Sequence, residues 1–101
     1  MRLMTKRDIG SWDSVAITIP EGVYVLKITR SGGSSGICKI SSSSSTNTGT
    51  YVEYKQTLYI GVSPGRTYYL HAWYNAEVDN PVTIAAYYSA SINSQTPSTT
   101  I

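Results

Sequence analysis

Apolar–polar alternation with a period of two residues runs through most of this chain, and it restricts the fold more than any other feature. Successive strand side chains point to opposite faces, so the pattern belongs to half-buried strands. Val15, Ile17 and Ile19 alternate with Ala16 and Thr18, and Tyr24, Leu26 and Ile28 alternate with Val25, Lys27 and Thr29. Further along, Leu58, Ile60 and Val62 share one face. Tyr68, Leu70, Ala72 and Tyr74 share another, with Tyr69, His71 and Trp73 opposite them. Val82, Ile84, Ala86 and Tyr88 alternate with Thr83, Ala85 and Tyr87 in a last strand that Pro81 can open. A central pair is expected over Gly36–Ser42 and Thr50–Lys55. No stretch of ten or more residues carries the period of an amphipathic helix. The expectation is an all-β chain of about seven strands, folded as an antiparallel β-sandwich or jelly roll.

The turn residues suggest how these runs connect. Ile19-Pro20-Glu21-Gly22 suits a type I turn, with Pro at its second position and Gly at its fourth. Ser63-Pro64-Gly65-Arg66 suits a type II turn, where Gly accepts a positive φ. Each turn is expected to close a hairpin between the runs that flank it. Residues 1–11 read as a basic arm, 12–90 as the sandwich and 91–101 as a polar tail left without structure. Ser41–Thr50 is a low-complexity Ser/Thr segment, expected to be a mobile loop because it has nothing apolar to bury.

Composition narrows the function. The 101 residues hold one small domain. Charged residues make up 14% of the chain, and there are nine Tyr, two Trp and no Phe, so the polar surface rests on hydroxyls and every aromatic ring carries a polar handle. The net charge of +2 comes entirely from Arg2, Lys6, Arg7 and Asp8, since the remaining five bases and five acids cancel. A neutral body with no basic stripe argues against nucleic acid as a partner. No apolar run approaches the roughly 20 residues of a membrane span, and residues 1–10 lack the apolar core of a secretory leader. Membrane partners and such a leader are therefore not expected.

Few residues invite a chemical role. Cys38 is the only cysteine, which excludes an internal disulfide and paired-cysteine zinc sites, and its alternation with Ile40 suggests a buried thiol. His71 is the only histidine; as a general base it would need an orienting acid and a nucleophile placed by the fold, so it reads as a surface or interface residue among aromatics. Asn75–Asn80 places four oxygen-bearing side chains in six residues, the ligand chemistry of calcium, yet the same residues favour a plain turn. The densest feature is the aromatic set around Tyr68–Tyr74 and Tyr87–Tyr88. If one face of that strand is core, the other presents rings to a partner. Tyr69, His71, Trp73 and Tyr87 are accordingly the candidate binding residues, with no catalytic residue, metal or cofactor expected.

The stretch Val62-Ser63-Pro64-Gly65-Arg66-Thr67-Tyr68-Tyr69-Leu70, together with Pro81-Val82-Thr83-Ile84-Ala85-Ala86-Tyr87-Tyr88, resembles two groups of proteins. One is the small, Ser/Thr/Gly/Tyr-rich β-sandwich modules of bacteriophage tail or head fibres and related virion proteins. The other is the closing strands of bacterial pre-peptidase C-terminal domains, which are secreted. The chain lacks the Asp-rich segment of that second group. The first resemblance implies a non-enzymatic virion component that associates with its own copies or with a larger structural protein. The alternative expectation is a secreted carbohydrate-binding module that stacks a glycan on Trp73, Tyr69 and neighbouring Tyr.

Overall fold

The computed structural model describes the backbone of residues 2–6 and all of residues 11–74 and 81–101. Strands follow in the order β1 (Arg2–Lys6), β2 (Trp12–Thr18), β3 (Val25–Gly32), β4 (Ile37–Ser41), β5 (Thr50–Tyr51), β6 (Thr57–Gly61), β7 (Thr67–Trp73), β8 (Val82–Tyr87) and β9 (Thr99–Thr100). They form a five-stranded sheet, β1-β8-β3-β6-β9, and a four-stranded sheet, β2-β7-β4-β5. The chain is a β-sandwich. All pairings are antiparallel except the parallel contact of β9 with β6.

Strands pair as nested couples, β1 with β8, β2 with β7, β3 with β6 and β4 with β5. Neither expected hairpin forms, because each proline-containing turn carries the chain from one sheet to the other. The two turns lie side by side: Ile19 N donates to Arg66 O at 2.9 Å and Gly65 N donates to Ile19 O at 2.7 Å. Beyond them Val62 N donates to Tyr24 O, which continues the β3–β6 ladder. The antiparallel partner of β2–β3 is thus the returning stretch β6–β7, and the paired ribbon bends through both sheets. Gly65 has φ +83°, as the type II reading requires. At the other corner Val23 N bonds Pro20 O, so the turn runs one residue later than expected and Gly22, at φ +82°, occupies its third position.

Alternation identifies the core faces within the strands but not at their ends, where Tyr24 and Tyr88 are exposed and Val25 is buried. Tyr68, Leu70 and Ala72 are fully buried, and they face Leu26, Ile28, Ile60 and Ile84 of the other sheet in one cluster. Each fully buried aliphatic side chain contributes about 1.5–3 kcal/mol to holding the sheets together. Buried Tyr68 accepts from Ser63 N at 2.9 Å and donates from its hydroxyl to Ile101 O at 3.2 Å, tying a corner to the C-terminus.

Both ends of the chain differ from their reading as an arm and a tail. Arg2–Lys6 adds an edge strand against β8. After β8 the chain makes one 3₁₀ turn at Ile92–Ser94, where Asn93 holds Tyr24 N and Gly22 O through its amide, and then β9 joins β6. The C-terminal segment docks by hydrogen bonds, which its polar composition can make and an apolar pattern does not reveal.

Candidate functional site

The outer face of the four-stranded sheet is built by cross-strand register. Trp12 of β2 pairs with Trp73 of β7, which pairs in turn with Ile37 of β4. The next row on this face is Ser14, His71, Lys39 and Tyr51, and the third is Ala16, Tyr69 and Ser41. Trp12, Ile37, Tyr69 and Trp73 are half-buried, and Tyr51 is 56% exposed. Such rows arise because the pleat sends every second residue outward while register aligns neighbours.

Lys39 lies flat on this surface and is largely covered. Its ammonium sits 5.1 Å from the Trp12 ring centre and 5.4 Å from that of Tyr51, and it donates to Thr46 O at 2.8 Å. Between two rings and a carbonyl the charge keeps favourable partners after losing water.

His71, expected as a surface or interface residue, is fully buried on this outer face. The loop after β4 covers it. Its Nε2 lies 3.0 Å from Ser43 O and its Nδ1 lies 2.6 Å from Ser14 Oγ. A carbonyl only accepts, so Nε2–H is the donor; in the neutral ring Nδ1 then accepts from the Ser14 hydroxyl. The ring lies parallel to that of Tyr69, with centres 6.2 Å apart.

The covering loop is the segment expected to be mobile for want of apolar anchors. It is folded by its own hydroxyls. Ser41 Oγ accepts from Ser43 N, Ser43 Oγ from Ser45 N and Ser45 Oγ from Asn47 N, while Thr48 Oγ1 bonds both Ser41 Oγ and Ser45 O. Short hydroxyl side chains cap nearby backbone groups, so a Ser/Thr run replaces burial with a ladder of local turns.

Of the four candidate binding residues, Tyr69, His71 and Trp73 come together here. Tyr87 does not join them: it faces out from β8 on the opposite sheet, with Lys27 Nζ 5.9 Å from its ring centre. Alternation gives parity within a strand but not the sheet to which the strand belongs. Sequence reasoning missed Trp12, Ile37 and Ser14, although parity with Ala16 placed Trp12 and Ser14 on the polar side of β2.

Cys38 is buried against the core, where loss of water pushes its thiol up to about 12 and the Arg30 charge acts in the opposite direction. Among the described residues no three His, Cys, Asp or Glu side chains converge, and no pocket is enclosed. The Asn75–Asn80 calcium-ligand candidate lies outside the described residues. No helix among the described residues is long and apolar enough to cross a membrane. No family model matches the sequence, and comparison with curated proteins and with solved structures yields no match.

Proposed function

We propose that this chain is a non-enzymatic structural module of the bacteriophage-virion type, which assembles by placing the outer face of its four-stranded sheet against a second copy of itself. The observation that carries this reading is the Trp12–Trp73–Ile37 row, continued by Tyr69 and Tyr51, on an outward sheet face. Aromatic residues in such a patch are the usual anchors of protein interfaces. Lys39 is the charged residue described on this face, and its own rings and loop carbonyl already hold it. Two such faces can therefore meet across a twofold axis without opposing bare like charges. The nested strand couples support a jelly-roll winding, an architecture common to viral capsid domains and lectins. Folds host many functions, so the reading rests on the face.

Light scattering over a range of protein concentrations tests it. The expected result is a concentration-dependent oligomer that Trp73→Ala weakens by roughly 30-fold with the melting curve largely retained, as for an interface anchor worth about 2 kcal/mol. Trp12→Ala, at the sheet edge, repeats the test should Trp73→Ala fail to fold. A chain that stays monomeric at all concentrations and binds an immobilised glycan through Trp12 and Trp73 overturns assembly in favour of the carbohydrate-binding alternative. A monomer that is recruited only by a larger virion protein moves the proposal from self-association to docking.

A further inference from the structure

Association does not require the contact between Ser14 and His71. Ser14 is exposed on edge strand β2, and its hydroxyl lies 2.6 Å from Nδ1 of the buried ring. With Nε2–H donating to Ser43 O, the lone pair on Nδ1 faces the hydroxyl. A hydroxyl, a neutral imidazole within hydrogen-bond reach and a third group that fixes the ring are the working parts of an activated serine. The third group here is a backbone carbonyl, held in place by the hydroxyl ladder of its loop. Trp12, two residues before Ser14 on the same strand face, offers a flat wall for an aromatic group.

We propose that Ser14 is a nucleophile, with His71 as its general base, that accepts the acyl group of small activated aryl esters. Ser14 Oγ adds to the ester carbonyl carbon while its proton passes to Nδ1 of His71, and the ring keeps Nε2–H on Ser43 O. The adduct then expels the aryl oxygen, which leaves as a phenol carrying that proton, and Ser14 is left as the acyl ester. No oxidant or further reactant enters.

The experiment is brief treatment of the full chain with p-nitrophenyl acetate, followed by peptide mass spectrometry, at a dilution where light scattering gives the monomer. Ser14 is expected to acetylate roughly a hundred times faster than the exposed Ser44, the lower range of what a positioned general base supplies. His71→Gln should bring Ser14 down to the Ser44 rate, and Ser14→Ala should abolish the adduct at that position in a chain that still folds. Equal rates at Ser14 and Ser44 in the native chain overturn the proposal, and this comparison stands even where His71→Gln does not fold. A folded His71→Gln protein that still acetylates Ser14 at the native rate overturns it as well.

Discussion

Arg30 and His71 are both buried, and both hold a loop by its backbone carbonyls, but they do so on opposite sides of a sheet. Arg30 points from β3 toward the interior. Its guanidinium donates to Val52 O and Gly36 O at 2.9 Å each, to Gly33 O, and at 3.4 Å to Gly32 O. His71 points outward from β7 and has one carbonyl and one hydroxyl. The interior contact closes the connection from β3 to β4 with a permanent charge shared among four carbonyls. The outer contact fastens a loop that already has a ladder of its own. One side of the sandwich is closed by a charge on several carbonyls, and the other by a neutral ring under a hydroxyl-rich loop on an outward face.

The strongest way to break this comparison is Arg30→Met, which keeps volume and removes every donor. Buried carbonyls left without partners cost about 1–3 kcal/mol each, so a loss of roughly 3 kcal/mol or more is expected in a urea unfolding curve. A loss under about 1 kcal/mol would mean that water reaches these carbonyls and the interior contact is no firmer than the outer one.

A smaller and local effect is expected from His71→Gln. Its amide reaches one partner less well than the ring reaches two, so global stability should fall by about 1–2 kcal/mol. The distinguishing readout is hydrogen exchange. The amides of Ser43, Ser45 and Asn47, bonded to hydroxyls of the loop, should exchange faster than the global loss explains, while those of β3 and β6 should follow it. Unchanged protection in the loop would show that the hydroxyl ladder holds it without the ring.

The same contrast shows which parts of the fold sequence can reveal. The face assignments of Tyr68, Leu70, Ala72 and Tyr74 against Tyr69 and Trp73 followed from alternation, because burial acts on one side of a strand at a time. Pairing did not follow. Pro64-Gly65 serves a hairpin and a corner between sheets equally well, since local φ preferences end at the turn while the choice of partner is made by the whole core. Burial of His71 was hidden for a related reason: its cover is a run of serines, and a hydropathy pattern does not register burial under hydroxyls and carbonyls. Sequence groups Tyr87 with Tyr69 and Trp73, whereas the fold puts it on the other sheet, because parity carries no information about sheet membership. Arg30 in the interior has the same alternation as Ile28, yet a charge in a core position reads from sequence as an exposed residue.

The smallest effect expected here uses Cys38 as a reporter on the interior side. Cys38 O accepts from Val52 N, one residue's backbone away from an acceptor of Arg30. Burial raises its thiol from 9.0 to about 12 in the folded chain, with the Arg30 charge pulling the other way. Below about pH 9 the thiol is protonated in both folded and unfolded chains, so its contribution does not vary. Above that, the unfolded chain releases the proton and the folded chain keeps it. Folding stability therefore falls as pH rises from about 9 toward about 12. Unfolding curves across that window should slope more steeply for the native chain than for Cys38→Ala, in which the other alkaline titrations remain. Maleimide at about pH 8 extends the test, because only a thiolate reached by solvent reacts. The native chain and His71→Gln should both stay unlabelled, whereas Arg30→Met should label as its end of the sandwich opens. Equal labelling of the two variants would erase the distinction between the interior contact of Arg30 and the outer contact of His71.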